Sequence, residues 1–436
     1  MAIFSPFWVS IIIFTVTFIW IISERVHRSL IAFAGAIAMG IIWNYMGFYS
    51  FEAVGHSVDY NTLLLLGGMM VLVAVMQKTG LFEYLAVKIA QKTHGSYWLL
   101  LVSLGLLTTI LSMILDNVTT IILIAPVTLI ITKILHFNPV PLLMSQAILS
   151  NIWWVGTLVW DPPNIIIGSA AGFSFVTFLT HALPVVVIVW VIAVLYILHQ
   201  CRKDNKIKPK YIEKLMELDA RKSIIKPIIL TKSLIVLAIV VVLFFTHHML
   251  HLPASAVALM GASSILLLVA PHDNPQKYLK KLELSVFLFF TSLFVLVGWL
   301  EAAGVLAYLA DIIAGWVEKN IMITAIIILW TTALASSVID NIPMTISMIP
   351  IIGYFESQWI AGTNLLWWAL VFGVGFGGNI TPIGSTANVV VIAKLELANE
   401  KIHLKDWLKI WIPVAFLWLS ITSAILMIFW NYFIKI

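Results

Sequence analysis

Long apolar runs separated by short polar segments extend along the entire chain. A membrane-spanning helix needs about 20 predominantly apolar residues. The candidate spanning runs are Phe7–Ile22, Leu30–Tyr49, Thr62–Met76, Pro141–Gly172, Phe175–Leu198, Ser233–His248, Ala254–Ala270, Ser285–Leu300, Leu365–Ala393 and Trp407–Phe433. Two further apolar regions, Trp98–Leu135 and Ile321–Phe355, are interpreted as re-entrant hairpins that enter and leave the membrane on one side. The pattern predicts an all-α polytopic membrane protein.

The chain contains an internal repeat at an offset of 224 residues. The matching segments are Ser112–Asn117 with Ser336–Asn341, Thr79–Ala86 with Ala303–Ala310, and Asn164–Ile167 with Asn388–Val391. Three matches at one offset without a gap are not expected by chance. The chain is therefore predicted to consist of a first repeat over residues 1–199, a linker over residues 200–232 and a second repeat over residues 233–436.

Composition and charge agree with a membrane protein and indicate its orientation. The chain is 61% hydrophobic and 10% charged, whereas soluble domains are about 45–50% apolar and about 25% charged. This excludes an ordinary soluble enzyme and a nucleic-acid-binding protein. If the linker is cytoplasmic and both hairpins are re-entrant, 23 of the 25 Lys and Arg residues lie on the cytoplasmic side. Each repeat then crosses the membrane five times, so the two repeats are inverted and both termini lie outside the cell.

This topology leaves three acidic residues inside the bilayer: Asp116, Asp161 and Asp340. An ionised carboxylate at the bilayer centre costs at least ~2.5–3.5 kcal/mol, so such residues are rare and usually functional. Asp116 and Asp340 are equivalent in the repeat, and each is followed by asparagine. A capping carboxylate at a hairpin tip is the alternative interpretation. Both can hold, because a helix N-terminus at such a tip is also an ion site.

Each hairpin is followed by a segment that is predicted to unwind inside the membrane. In the second repeat Gly375–Asn388 contains several glycines and Pro382, and its counterpart Asn151–Asn164 contains two prolines. Unwound backbone is tolerated at this depth only where it lines a cavity or is buried in protein. A packing kink is the alternative. Two breaks at matching positions of inverted repeats are the best sequence indication of a transport site.

Three tryptophans distinguish the first unwound segment from the second. Trp153, Trp154 and Trp160 stand where the second repeat has Gly377, Gly378 and Gly384. The indoles are either packing residues in a repeat that has lost its symmetry, or groups that narrow the site or suit it to a larger organic solute. The residues themselves leave both interpretations open. Trp367 and Trp368, at the start of a span, are interpreted as part of an interfacial aromatic belt.

These motifs resemble the ion-transporter superfamily that includes ArsB-type arsenite permeases, NhaD-type sodium/proton antiporters, the melanosomal P protein and the divalent-anion/sodium symporters. The motifs are Leu115–Thr120, Asp161–Gly168, Ile339–Pro343, Gly377–Thr381 and Ser385–Asn388. The Asp-Asn-Val-Thr-Thr and Asp-Pro-Pro-Asn forms are most similar to the ArsB and P-protein branch. The three tryptophans depart from the glycine-rich pattern that this superfamily normally has before Asp-Pro-Pro-Asn.

The resemblance implies two inverted repeats of five spans, each with a re-entrant hairpin and a broken helix, and an elevator-like movement. It also implies the residues that bind substrate or ion, which are Asp116, Asn117, Thr120, Thr157, Asp161, Asn164, Asp340, Asn341, Thr345, Gly378, Asn379, Thr381, Ser385 and Asn388. A metal site and an organic cofactor are not expected.

The leading hypothesis is a secondary active transporter of a small inorganic ion in the cell's inner membrane, such as an arsenite, antimonite or other anion permease. Asp116 and Asp340 would bind or exchange the coupling proton or sodium ion, because the chain has no Walker-type nucleotide loop. Its partners would be the lipid bilayer and the small ion, without nucleic acid; a homodimer is left open. The alternatives are a sodium/proton antiporter, a di- or tricarboxylate transporter, an intramembrane aspartyl hydrolase and a transport-dead relative.

Overall fold

The computed structural model describes most of the chain. The described residues are 5–22, 25–46, 51–113, 115, 117–159, 161–202, 211–225, 227–269, 271, 276–280, 282, 284–309, 311–312, 320–338, 341–358, 360–382, 384–400, 402 and 404–435. Throughout these ranges the regular elements are helices, and no β-strand occurs in them. The prediction of an all-α protein is confirmed.

The helices before the linker correspond closely to the apolar runs of the sequence. They are α1 Pro6–Ile22, α2 Arg28–Met46, α3 Phe51–Ser57, α4 Tyr60–Gln77, α5 Leu81–Lys92, α6 Tyr97–Ser112, α7 Asn117–Leu135, α8 Pro139–Trp154, α9 Pro162–Ala170 and α10 Phe175–Gln200. The predicted run over residues 141–172 is interrupted between α8 and α9, as its prolines indicated. Asn138 begins α8 and Asp161 begins α9, each by accepting a hydrogen bond from a backbone N–H of the first turn.

The linker and the second part of the chain contain the remaining helices. They are α11 Ile212–Met216, α12 Pro227–Thr246, α13 Ala254–Val269, α14 Gln276–Leu279, α15 Leu284–Ala302, α16 Ile321–Ser336, α17 Asn341–Ser357, α18 Asn364–Gly377, α19 Thr386–Leu397, α20 Leu404–Ile428 and α21 Trp430–Ile434. A 3₁₀ turn covers Ala220–Ser223. The run predicted at residues 365–393 is broken between α18 and α19, at the second glycine-rich segment.

Helix boundaries repeat at the offset found in the sequence. Four pairs of helices begin 224 residues apart, namely α4 and α15, α6 and α16, α7 and α17, and α9 and α19. Seven of the described helices are long and apolar enough to cross a membrane, and five shorter helices are also apolar. The protein is therefore a multi-pass membrane protein. The direction in which each helix crosses the bilayer, and with it the inversion of the repeats, stays a prediction.

The helix pairs α6–α8 and α16–α18 pack closely at equivalent positions of the repeat. In each pair one helix has a glycine at the contact and the other has a leucine. In the first part, a Cβ on Gly105 of α6 would lie 2.7 Å from Leu149 Cδ1 of α8. At the equivalent positions in the second part, a Cβ on Gly373 of α18 would lie 2.6 Å from the Leu329 carbonyl oxygen of α16. The glycine is thus on α6 in one pair and on α18 in the other. This small–large complementarity is what lets apolar helices approach closely in a membrane.

The described part of the linker, residues 211–225, is docked on the first repeat. Most of these residues are exposed, but Leu215 is fully buried. The Gln91 side-chain amide of α5 donates to the Leu218 carbonyl oxygen at 2.7 Å, and the Ile225 N–H donates to the Thr79 carbonyl oxygen at 3.1 Å. The linker therefore lies at the end of the bundle where α4 ends and α5 begins.

The interpretation of Trp367 and Trp368 as part of an interfacial aromatic belt was wrong. Both side chains are buried inside the protein, and Trp368 stacks on Phe173 with ring centroids 4.7 Å apart and on His181 at 5.2 Å. The apolar character of these indoles is used for packing between α18 and α10, which the local sequence pattern does not distinguish from contact with lipid.

Candidate functional site

Asn151, near the end of α8, links the first hairpin to the second unwound segment. Its side-chain N–H₂ donates to Asn379 Oδ1 at 2.8 Å and to Asn388 Oδ1 at 2.9 Å. Its Oδ1 accepts from Asn117 Nδ2 at 2.9 Å and from Ser385 Oγ at 3.2 Å. An amide side chain offers two donor hydrogens and two acceptor lone pairs. These contacts use all four, so the orientation of this amide is fully determined by residues from both parts of the chain.

The side chain of Asn164 on α9 stabilises the first unwound segment by hydrogen bonds to its backbone. Its side-chain N–H₂ donates to the carbonyl oxygens of Trp154 and Thr157, each at 3.0 Å. The backbone N–H of Asn164 donates to the Asp161 carboxylate at 3.2 Å. The carbonyl groups freed where α8 ends are therefore satisfied by a side chain, as buried backbone in a membrane requires.

Asn388 holds the second unwound segment in the same way. Its N–H₂ donates to the Gly378 carbonyl oxygen at 3.1 Å and to the Thr381 carbonyl oxygen at 3.2 Å. All three positions lie 224 residues after those of the first segment. Thr381 further donates its hydroxyl to the Ser337 carbonyl oxygen, and the Gly384 N–H donates to Thr381 Oγ1 at 3.0 Å. The repeat detected in the sequence is thus reproduced as one hydrogen-bonding geometry in two places.

The helices that precede the two unwound segments, α8 and α18, contact each other at repeat-equivalent positions. Asn151 of α8 contacts Asn379 just after α18, while a Cβ on Gly375 of α18 would lie 2.3 Å from Val155 just after α8. At the offset of 224, Asn151 corresponds to Gly375 and Val155 to Asn379. The same crossing is therefore polar on one side and a close apolar contact on the other.

A cavity of about 530 Å³ lies between these elements, within the range usual for small-molecule sites. Its described lining residues are Arg28, Leu66, Met69, Met70, Val73, Ala74, Gln77, Asn117, Val118, Thr119, Ile122, Leu123, Trp154, Val159, Asp161, Pro162, Pro163, Val286, Asn341, Ile342, Ser385 and Thr386. Besides α2, which begins with Arg28, four helices begin at this lining: α7, α9, α17 and α19. Their N-termini belong to both parts of the chain and converge on one space.

Each of these helix N-termini contributes a positive partial charge to the cavity. The first N–H groups of a helix lack helical partners, and the helix dipole places about half a positive charge at this end. Such an end favours an anion or a carboxylate. Asp161 already supplies a carboxylate at α9, where its Oδ2 accepts from the backbone. Asp116 and Asp340 directly precede α7 and α17 in the sequence, but both lie outside the described residues.

The structure brings only some of the predicted site residues to the cavity wall. Asn117, Asp161, Asn341 and Ser385 line it. The predicted residues behind this wall, Thr157, Asn164, Gly378, Asn379, Thr381 and Asn388, take part in the backbone contacts around the two breaks or in the Asn151 cluster.

The two predicted threonines of α7 and α17 differ in their surroundings. Thr345 donates its hydroxyl to the Asn341 carbonyl oxygen of its own helix at 2.9 Å. Thr120 is fully buried, and among the described residues its hydroxyl has no hydrogen-bond partner. Neither lines the described cavity, so their assignment to the site stays a prediction.

The tryptophans of the first segment have separate environments. Trp153 packs edge-to-face against Trp190 of α10, with ring centroids 6.2 Å apart, and is absent from the described cavity lining. Trp154 forms part of the cavity wall. Trp160 lies outside the described residues. The Asn164 contacts at this break use backbone carbonyls, so the indoles coexist with the same geometry that glycines permit in the second repeat.

Asn151 and Arg28 are site residues that sequence reasoning missed. Asn151 was available as a polar residue within an apolar run, but its repeat equivalent is Gly375, so the repeat gave it no support. Arg28 was counted as one of the basic residues that orient the chain. Among the described residues, no group of three or more His, Cys, Asp or Glu side chains is placed to hold a metal ion.

Comparison with known proteins identifies the class. Residues 18–373 match the family described as citrate transporter, CitMHS. The chain belongs to this family and is a membrane transporter of the ion-transporter superfamily. It is 36% identical to a 46 kDa membrane protein of Mycobacterium leprae, over 96% of this chain and 97% of that protein. It is also 37% identical to an uncharacterized transporter of Mycobacterium tuberculosis, over 92% of this chain and 93% of that protein.

More distant similarities lead to the same class of protein. The human P protein is 30% identical over 90% of this chain, which spans 56% of the length of that protein. The crystal structure of the YdaH transporter of Alcanivorax borkumensis shares the fold, with a TM-score of 0.62, 13% identity and 85% coverage of both chains. The resemblance to the ion-transporter superfamily and the polytopic helical fold are therefore confirmed.

Proposed function

We propose that the protein is a secondary active transporter that moves a small anion through the cavity described above, coupled to protons or sodium ions. The observation that carries this proposal is the convergence of four helix N-termini from both parts of the chain on one cavity. Asn117, Asn341 and Ser385 add polar side chains to the same wall. Positive helix ends and amide or hydroxyl groups are the partners that an anion's oxygens use in half-unwound transport sites.

The donor set favours an oxygen-rich anion, such as a carboxylate, over arsenite or antimonite. These metalloids favour soft thiolate ligands. The one cysteine of the chain, Cys201, is buried at the end of α10 and is absent from the described cavity lining. The family description names citrate, which is a carboxylate. Arsenite and antimonite remain alternative substrates for the same cavity.

Coupling is proposed to occur at Asp116 and Asp340, which precede the helices that begin at the cavity. A carboxylate beside a bound anion can carry the proton or sodium ion that offsets the anion's charge. An elevator-like movement of the cavity-lining helices would then expose the site to either side of the membrane. This movement rests on the resemblance to the superfamily.

A flux assay in inverted vesicles tests the proposal. We expect uptake of citrate or a dicarboxylate to exceed uptake of arsenite, and to depend on a proton or sodium gradient. The variants Asp116→Asn and Asp340→Asn should each lower this flux at least roughly tenfold, because a neutral amide cannot carry the coupling cation's charge. The matched control is Glu396→Gln, which neutralises an exposed acid at the end of α19 and should leave the flux unchanged.

Three outcomes would contradict parts of the proposal. Unchanged flux in both aspartate variants would remove the coupling assignment. Sodium/proton exchange without anion movement would favour the antiporter alternative. Peptide cleavage that is lost in Asp116→Asn, without any transport activity, would favour the hydrolase alternative.

A further inference from the structure

We infer that the transported anion is a monocarboxylate with an apolar body, and that one face of α4 binds that body. This inference rests on the proposed anion transport and narrows its substrate class. It is carried by the position of the apolar lining residues on α4, by the difference between the two repeats at Trp154 and by the small number of charged side chains in the cavity wall.

The polar side chains of the cavity wall lie where helices begin. Asn117 and Asn341 are the first residues of α7 and α17, and Ser385 directly precedes α19. The Ser385 side chain makes no capping hydrogen bond to α19, because its hydroxyl donates to Asn151 Oδ1 at 3.2 Å. The first N–H groups of α19 are therefore not capped by this side chain and suit the head group of a carboxylate.

One face of α4 adds an apolar wall to this polar end. The lining residues of α4, here called its cavity face, are Leu66, Met69, Met70, Val73, Ala74 and Gln77. Their spacing of three and four residues places them on one side of the helix. At 1.5 Å per residue, the cavity face is about 16 Å long. Five of its six residues are apolar, so a hydrocarbon body can lie along it.

The cavity face is shielded from the bilayer. Leu66, Met69 and Val73 are at most 8% exposed although they line the cavity. The side of α4 that faces lipid includes Leu64, which is 47% exposed and is not part of the described lining. Contact with lipid therefore does not explain why the cavity face is apolar.

Trp154 makes the wall more apolar in the first repeat than at the equivalent position of the second. It corresponds to Gly378 at the offset of 224, where a Cβ would lie 2.8 Å from the Gly384 carbonyl oxygen. The second repeat thus packs backbone against backbone at this position, whereas the first repeat has an indole. An added aromatic residue favours a ligand with hydrocarbon surface over a compact inorganic ion.

The charged side chains of the wall limit the charge of the ligand. Among the described lining residues they are Arg28 and Asp161, and Asp161 already accepts a backbone N–H at the start of α9. Citrate would bring three carboxylates to this wall, and a buried charge without a partner is costly. One carboxylate can be satisfied by a helix N-terminus and the asparagine side chains. The wall therefore suits a monocarboxylate better than a tricarboxylate.

Closure of the cavity is the competing explanation for the apolar wall, since the cavity face could pack against α7 in a closed state. The two explanations differ in what a substitution on α4 changes. A surface used only for closure affects the transport of every substrate alike. A surface that binds the body of the substrate changes affinity according to the length of that body.

The experiment measures Kd by calorimetry for the purified protein in nanodiscs, with empty nanodiscs as the reference. The probes are acetate, butyrate, hexanoate, citrate and the uncharged hexanol. We expect Kd of wild type to fall about threefold for each added methylene, because each buried methylene contributes a similar free energy. Hexanoate should bind more tightly than citrate. Hexanol should bind at least roughly tenfold more weakly than hexanoate, because it lacks the charged head group.

Two variants of α4 assign the effect to its cavity face. Val73→Thr replaces a methyl group by a hydroxyl, and Met70→Gln replaces a thioether by an amide of similar length. Each should raise the Kd of hexanoate about threefold or more and leave the Kd of acetate within about twofold, because acetate has almost no apolar body. The matched control is Val75→Thr, at a buried position of the same helix outside the described lining, which should match wild type.

Uptake of labelled hexanoate and citrate into proteoliposomes, corrected for uptake into protein-free liposomes, shows which ligand is transported. If wild type neither binds nor takes up these anions, dicarboxylates or arsenite, the proposed anion transport fails. If citrate binds more tightly than hexanoate, if Kd does not fall with chain length, or if citrate alone is taken up, the substrate class is overturned while anion transport stands. Equal binding of hexanol and hexanoate would overturn it in favour of filling by any apolar molecule. Equal effects of Val73→Thr and Val75→Thr would overturn the role of the cavity face.

Discussion

Replacement of Asn151 by leucine is expected to abolish anion transport while the protein still inserts into the membrane. Leucine branches at Cγ as asparagine does but cannot make the four hydrogen bonds to Asn117, Asn379, Ser385 and Asn388. A buried polar group that loses its partner costs about 1–3 kcal/mol. If the lost hydrogen bonds raise the barrier of the transport step by about 3 kcal/mol, the transport rate falls about a hundredfold or more. Flux in vesicles is the measurement, normalised to the amount of inserted protein.

Gln146 provides a matched control on the same helix. It is fully buried on α8, and its amide bonds to Thr128 of α7, with Nε2 2.8 Å from Oγ1. Gln146→Leu therefore also removes a buried amide between two helices, but away from the unwound segments. We expect this variant to lose some thermal stability and to keep most of its flux. Similar flux in the two leucine variants would show that the Asn151 cluster has no special role in transport.

Substitution of Gly377 by alanine should be the most destabilising single methyl addition in the second part of the chain. A Cβ at this position would lie 2.3 Å from the Ala333 carbonyl oxygen and 2.6 Å from the Ala333 Cα of α16. Both atoms belong to helix backbone, so relief requires that α16 and α18 move apart. Overpacking of a close contact costs about 1–3 kcal/mol or more. We expect a clearly lower Tm in detergent, together with less folded protein in the membrane.

Gly353 of α17 is the corresponding control. A Cβ at this position would meet no atom within 4 Å, and alanine is the better helix former by about 1 kcal/mol. Gly353→Ala should therefore leave Tm unchanged or raise it slightly. An unchanged Tm for Gly377→Ala would mean that α16 and α18 are not as close as the structure places them.

Much of the fold could be predicted because lipid restricts what an apolar run can do. A helix is the structure that satisfies its own backbone in hydrocarbon, so runs such as residues 175–198 identify their helices almost to the residue. The breaks before Asp161 and Thr386 could be located from proline and glycine. Asn117 and Asn341 could be predicted as site residues because polar residues inside a membrane are rare and usually functional.

Other features of the site were invisible to local pattern. The repeat identifies a site residue when both repeats have a similar residue at the equivalent position. Asn151 has Gly375 at its equivalent position, so the side chain with the most hydrogen bonds in the cluster was overlooked. The buried indole of Trp368 has the same apolar signature as a lipid-facing one. Arg28 has the same sequence context as any basic residue that orients a helix. In each case, the missing information is which distant surface the side chain meets.

The sequence by itself therefore determined the membrane class, the helices, the 224-residue repeat and the chemical types of residue at the candidate site. Only the tertiary structure decided how these elements meet: that Asn151 bonds to Asn379, 228 positions away, and that four helix N-termini face one cavity. The physical reason is that hydropathy and backbone satisfaction act within a segment, residue by residue. The crossing of α8 over α18, in contrast, depends on the fit of side chains from both helices, and no single segment contains that information.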